Sequence, residues 1–403
     1  MNKSEKLAKL NETFTPSRPV NARDLFCGRT QQLSKIAKAI TDGGCHAVLY
    51  GDRGVGKTSL ANFMKMLIDG NLIENLTSIN MCHKVSCDPS DTFGDIWRKM
   101  LRKISLTLSK TNIGFVNSTE YQVVSLDNYV NQGEDLKPSD VIEIIKGLPQ
   151  CLLIFDEFEN AKKQGVRENF SYTIKSLSDE YPNVTILLVG IAENIHGLIH
   201  DHRSLERCLK QIPVPHMDDG ELEDIINKGL LALDLTIEPT TKNTLVSFSQ
   251  GFPYYVHLLA KNVAEIAIAI DHIHIDETHL RIGIDEAIDN AHEAIRMCYK
   301  SAISINRNSI ISFEDIISAC VLASETGSDG FKVTDLRVPL QKITGIKHKE
   351  QTYRYYLDEL CKDIRGNILK KTGTANKHRY HFTSPLVKAF VYLKMYQSGK
   401  VIS

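Results

Sequence analysis

The chain of 403 residues has no apolar run near the ~20 residues that a membrane helix needs; "VAEIAIAI" (263–270) falls well short. Its first residues, "MNKSEKLAKLNETF", lack the apolar core of a secretory signal, so the expectation is a cytosolic protein with no membrane partner. The nine cysteines form no C-x-x-C pair and match no histidine cluster. Cys82 and Cys87, the closest two, read as ordinary thiols of a reducing compartment rather than as metal ligands or a disulfide. No internal repeat and no low-complexity tract is present. There is also almost no net charge, −1 overall with 24% charged residues, as in an ordinary soluble protein of two or three domains.

That near-neutrality hides an asymmetry. Between Arg337 and Lys400 there are fourteen Lys or Arg against Glu350, Asp358, Glu359 and Asp363, a local excess of +10. The rest of the chain must therefore carry −11. A basic module on an acidic body is an electrostatic hint of nucleic acid, and a basic protein-docking surface is the alternative.

The strongest local signal is "LYGDRGVGKTSLAN" (49–62). It fits G-x-x-x-x-G-K-[ST] between a short apolar strand, "HAVLY" (46–50), and a helical pattern, "TSLANFMKMLI" (58–68). Gly51, Gly54 and Gly56 let successive N–H groups turn inward as an anion nest, and the helix beginning near Lys57 adds the positive end of its dipole. The loop Gly51, Asp52, Arg53, Gly54, Val55, Gly56, Lys57, Thr58 and Ser59 is thus a candidate phosphate cradle. Lys57 would reach the β- and γ-phosphates of ATP, and the Thr58 hydroxyl would bind Mg²⁺.

The apolar strands "CLLIFDE" (151–157) and "VTILLVG" (184–190) suit parallel strands covered on both faces, with "ENFSYTIKSLSDEY" (168–181) as the crossover helix. "KVSCD" (84–88) reads as another strand. "TFGDIWRKMLRKISLTL" (92–108) reads as a helix, residues 109–138 as an extended loop, and Ser139 as the N-cap of a helix over 138–148. Asp156 and Glu157, at the end of a strand ~100 residues after the glycine loop, have the form of a Walker B pair. Asp156 would hold Mg²⁺, directly or through water, and Glu157 would activate the attacking water as general base.

These patterns predict an α/β fold: a doubly wound parallel-sheet P-loop domain over 21–216, preceded by a flexible arm at 1–20. A helical segment over 217–305 follows. Residues 306–403 then read as three short helices (312–323, 333–343, 350–364) and a hairpin (367–384), the order of a winged helix. In such a module Arg354 would face the major groove of double-stranded DNA, while Lys370, Lys371, Lys377, His378 and Arg379 of the wing would meet phosphates. Tyr353, Tyr355, Tyr356, Leu357, Leu360 and Cys361 imply that much of this helix packs inward, and with Asp358, Glu359 and Asp363 they favour backbone or shape readout over base reading.

The arrangement resembles AAA+ ATPases, in the branch of origin-recognition and replication-initiator proteins, transposition regulators and STAND-type ATPases. It is also similar to a widespread bacterial group with this domain order. The resemblance rests on "FCGR" (26–29), "GDRGVGKTSL", "LLIFDEFEN", "LLVGIAEN", "HRSLERCL", "GFPYYVHLL" and the terminal winged helix.

It implies that Val20, Leu25 and Phe26 lie near adenine, with Gly28 and Arg29 at the turn before the P-loop. It implies a sensor at Glu193 or Asn194, of which the neutral amide of Asn194 suits a γ-phosphate better. An arginine finger is implied at Arg207, or second at Arg203, acting on a neighbour's ATP in a homo-oligomer. "GFPYY" (251–255) departs from the Gly-x-x-Arg of replication initiators and resembles the Gly-x-Pro of STAND and transposition-regulator ATPases. That favours a nucleotide-gated switch over a fast motor. His257 reads as a core or surface histidine rather than a phosphate contact. No nuclease, protease or TIR-like module is legible, so any destructive activity would come from a partner such as an operon-encoded effector.

Overall fold

The computed structural model describes residues 1–16, 25–73, 76, 79, 81–112, 118–130, 135–191, 205, 207–289, 293–304, 311–324, 330–372 and 378–400. The chain divides into two compact units, Pro19–Pro215 and the combination of Met1–Arg18 with His216–Ser403.

The N-terminal residues, expected as a flexible arm, form helix α1 (Lys3–Thr13). Asn2 caps it with a reciprocal box, its side chain accepting from the Glu5 N–H while Glu5 accepts from the Asn2 N–H. Leu10, Thr13 and Phe14 are buried, so an apolar stripe rather than the polar composition decides the outcome.

The first unit holds α2 (Thr30–Thr41), β1 (His46–Gly51), α3 (Lys57–Asp69), β2 (Met81–Ser86) and α4 (Phe93–Lys103). It continues through β3 (Ser105–Asn112), β4 (Ser118–Ser125), α5 (Pro138–Ile145), β5 (Cys151–Asp156), α6 (Val166–Glu180), β6 (Val184–Ile191) and β7 (Leu209–Pro213). Five strands make a parallel sheet in the order β2-β5-β6-β1-β7. Strand β7, which the sequence reading missed, is an edge strand whose Lys210 and Gln211 hide its pattern.

Two other expectations are corrected. The helix expected to reach residue 108 stops at Lys103, and the antiparallel hairpin β3–β4, with Ser105 paired to Ser125, takes the end of that expected helix and runs into the stretch expected as a loop. Polar strand sequences such as "SLTLSKTN" lack the apolar signal that marks a buried strand. Helix α5 begins at Pro138, with Lys137 as N-cap in place of Ser139; the Asp140 carboxylate accepts from the Lys137 N–H.

One face of the sheet carries an aromatic core. Trp97 of α4 meets Phe155 of β5 at 5.0 Å between ring centroids, and Phe170 of α6 meets Phe155 at 5.0 Å and Phe158 at 4.8 Å. Phe155 and Phe158 flank Asp156–Glu157, so this packing holds the acidic pair in place.

The second unit adds α7 (Asp219–Ala232), β8 (Thr236–Ile237), α8 (Pro239–Ser249), α9 (Pro253–Ala269), β9 (His274–Ile275), α10 (Glu277–Asp289) and α11 (Glu293–Ile303). Its remaining elements are α12 (Phe313–Ala323), α13 (Arg337–Thr344), α14 (Glu350–Leu360), β10 (Leu369–Thr372), β11 (Arg379–Phe382) and α15 (Pro385–Gln397). β8 and β9 form a two-residue parallel pair within the segment expected to be wholly helical. β10 and β11 pair antiparallel after α12, α13 and α14. Helix α15, also missed in the sequence, packs on α8, α10, α11 and α12.

Candidate nucleotide site

Strand β1 ends at Gly51, whose φ is +152° and where a Cβ would stand 2.5 Å from the Val214 carbonyl oxygen. Backbone passes too close there for any side chain. Gly56, at φ +92°, is the N-cap of α3. The loop between them is braced from the "FCGR" turn: Arg29 is buried, and its Nη2 donates to the Val55 carbonyl at 2.9 Å. Phe26 stacks on Phe63 of α3 with centroids 3.9 Å apart.

Lys57 is 8% exposed, and its Nζ donates to the Gly51 carbonyl at 3.0 Å and the Asp52 carbonyl at 2.6 Å. Burial pulls its pKa down to about 8, against the opposing charges of Glu159, Asp52 and Asp156. Asp52 and Arg53 are exposed, Val55 is buried, and Ser59 is half-buried on α3.

Thr58 Oγ1 donates to Asp156 Oδ1 at 3.3 Å, joining the start of α3 to the end of β5. The Glu157 N–H donates to the same oxygen at 2.9 Å. Glu157 is exposed and holds a left-handed backbone, φ 55°. Partial burial raises its pKa, and the neighbouring negative charges of Asp156, Glu159 and Asp88 raise it further. A carboxylate made more basic in this way suits proton abstraction.

Two residues without a role in the sequence reading belong to this cluster. Lys84 Nζ of β2 lies 2.9 Å from Asp156 Oδ2. Glu159 Oε2 accepts from the Ile191 N–H at the end of β6. A lysine in β2, the strand paired with β5, was the available signal for the first. Nothing local marked the second.

The donor set fits a nucleotide with Mg²⁺. One hydroxyl and one carboxylate oxygen meet at the mouth of a loop rich in N–H groups. Mg²⁺ is commonly held by one or two protein oxygens, with phosphates and water supplying the rest.

Other expected residues lie elsewhere or outside the described set. Val20, Glu193, Asn194, Arg203 and Lys377 are outside it. Arg207 is exposed and paired with Asp179 of α6 at 2.7 Å. His257 is buried and accepts from the Thr15 N–H at 3.3 Å, and burial lowers its pKa to about 4. It is a neutral core residue. In "GFPYY", Gly251 (φ +80°) ends a turn whose carbonyl accepts from the Met217 N–H, and Pro253 starts α9.

In the C-terminal part Tyr353, Tyr356, Leu357 and Leu360 are buried as expected, whereas Tyr355, on the opposite side of α14, is 54% exposed and Cys361 is half-buried. Arg354 is paired with Glu350 at 2.8 Å, Lys371 with Asp358 at 2.8 Å, and Arg379 donates to the Gly330 carbonyl. Lys370 is half-buried on β10.

The family model for novel STAND NTPase 1 matches residues 19–266. No curated protein matches the sequence. Among solved structures, the Walker-type ATPase PABY2304 of Pyrococcus abyssi is similar at TM-score 0.52 and 15% identity, over 93% of this chain and 99% of that one. The Orc1 protein of Aeropyrum pernix in complex with DNA matches at 0.48 and 13%, over 96% and 98%. The RuvB Holliday junction branch migration motor of Thermotoga maritima matches at 0.44 and 18%, over 93% and 97%. At these identities the P. abyssi likeness speaks for the fold, a P-loop ATPase sheet with a helical C-terminal part.

Proposed function

The chain belongs to the novel STAND NTPase 1 family, and on that footing we propose that it is a Mg²⁺-dependent ATPase working as a nucleotide-gated switch. The observation that carries this reading is the convergence of Lys57, Thr58, Asp156 and Glu157 where β1 and β5 end.

The P-loop N–H groups and Lys57 bind the β- and γ-phosphates. Thr58 and Asp156 hold Mg²⁺, which when bound offsets charge on the transferred phosphoryl group. Glu157 takes the proton of the attacking water. The family resemblance supports Val20, Leu25 and Phe26 for the adenine side, Gly28 and Arg29 for the turn before the P-loop, Asn194 for orienting the water, and Arg207, or second Arg203, for acting on the ATP of a neighbouring copy. Residues 217–305 serve as a lid and 306–403 as a winged helix. ATP binding orders a homo-oligomer, and hydrolysis releases it.

The +10 excess after residue 336 supports double-stranded DNA as the winged helix's ligand. A second reading, docking of a protein such as an operon-encoded effector, is favoured by a specific observation. Arg354 and Lys371 already have carboxylate partners, and Val338, Ile346, Tyr355 and Ile364 are exposed in the same region.

The test is steady-state ATP hydrolysis at low salt with and without duplex DNA, with Lys57→Ala as blank. Stimulation that fades with salt is expected for a DNA-coupled ATPase. Turnover indifferent to DNA favours the protein partner, and turnover equal to the blank rejects the ATPase.

A further inference from the structure

Asp156 carries a cation that nucleotide binding by itself does not require. Its Oδ1 accepts from Thr58 Oγ1 and the Glu157 N–H, whereas its Oδ2 faces Lys84 Nζ at 2.9 Å. The two side chains are 19% and 4% exposed, so water and salt screen the pair weakly.

Strand register explains how Lys84 reaches. Ser86 lies opposite Asp156, and Lys84, two residues earlier, opposite Ile154. Side chains two apart on a strand share a face, ~7 Å along and ~5 Å across, within the span of a lysine. The backbone there is pinned: β2 is hydrogen-bonded to β5, and the Lys84 carbonyl accepts from Lys103 Nζ. The pinned backbone keeps Lys84 within reach of Asp156.

The geometry points to Lys84 as a positioning residue that orients the Asp156 carboxylate and lowers the site's affinity for free Mg²⁺. This rests on the reading of Asp156 as a Mg²⁺-holding residue. With Lys84 in place Asp156 is neutralised, and a divalent cation entering beside it meets a positive charge. The phosphates of the nucleotide tip the balance, so metal and nucleotide enter together. Without Lys84 the buried Asp156 carboxylate loses its cation, and a divalent cation can approach Oδ2 without meeting a positive charge.

Two measurements on the full chain test this without relying on turnover. One is the Mg²⁺ concentration that half-saturates binding of a fluorescent ADP analogue. The other is binding of Mn²⁺ alone, followed by the loss of its free paramagnetic resonance signal. In Lys84→Met, half-saturation is expected at a Mg²⁺ concentration lower by on the order of tenfold, the size a nearby unit charge gives at partly screened range. Nucleotide-free Mn²⁺ binding should tighten similarly. Lys84→Arg should stay near the wild type, because it keeps the charge. Lys84→Gln carries the same expectation as Lys84→Met if the methionine variant does not fold.

Equal Mg²⁺ and Mn²⁺ dependence in the wild type and the neutral variants overturns the role of Lys84 while leaving the nucleotide site intact. A wild type that binds the analogue without any Mg²⁺ dependence overturns the metal reading of Asp156, and this inference with it.

Discussion

Thr58 Oγ1 and Asp156 Oδ1 lie 3.3 Å apart, a hydrogen bond across 98 positions of sequence that ties the first turn of α3 to the end of β5. It brings together the hydroxyl and the carboxylate proposed to hold Mg²⁺. Thr58→Val should leave the fold intact and weaken Mg²⁺-dependent nucleotide binding by roughly tenfold or more, the cost of a hydrogen bond to a charged group. Thr58→Ser should retain most of the affinity. Calorimetric titration with and without Mg²⁺ separates the two.

Glu157 is the exposed partner of a buried aspartate, and its raised pKa follows from burial and three nearby carboxylates. Glu157→Gln is expected to bind ATP normally and to lose about 10²–10⁴ in turnover. Normal hydrolysis by this variant removes Glu157 as the base.

Arg207 sits on the surface with Asp179, both well exposed. Such a pair contributes about 0–1 kcal/mol and is easily exchanged for another partner. Arg207→Ala should lose on the order of 10³ in turnover. Mixing it with Glu157→Gln should restore part of that loss, because each protein supplies what the other lacks. Absence of recovery marks Arg207 as structural or acting in cis.

Burial lowers the pKa of both His46 and His257 to about 4. Both are neutral acceptors in the fold, His46 from the Ile186 N–H and His257 from the Thr15 N–H. Unfolded histidine titrates near 6.5. Below that pH the unfolded chain binds more protons than the folded one, so stability falls with pH from about 6.5 to about 4. Each histidine should cost about 2 kcal/mol between pH 7.5 and pH 5. His257→Asn, with an acceptor near the Nδ1 position and no titration, should remove that share of the drop in urea unfolding.

Gly229 of α7 faces Phe14, whose Cζ would be 2.3 Å from an added Cβ. Alanine gains ~1 kcal/mol in helix propensity, but the clash should outweigh it and lower stability by about 1–3 kcal/mol. Gly147→Ala, with nothing within 4 Å of the new Cβ, should be close to neutral. Phe14→Leu combined with Gly229→Ala should recover part of the loss. Thermal unfolding of the four proteins decides it.

Local patterns carried the P-loop, the strands of Leu152–Phe155 and Ile186–Val189, and the acidic pair after one of them. Glycine spacing and continuous apolar runs are properties of neighbouring residues, so the sequence alone determined a doubly wound nucleotide-binding fold. The strand order that inserts β6 between β1 and β5, the approach of Lys84 to Asp156, the grip of Arg29 on Val55 and the docking of α1 on α9 were decided by tertiary structure. Each depends on partners dozens to hundreds of residues apart, and no periodicity records such a pairing. The hairpin of Ser105–Ser125 stayed hidden for a related reason: its strands are mostly polar in sequence, and backbone pairing leaves no mark on residue type.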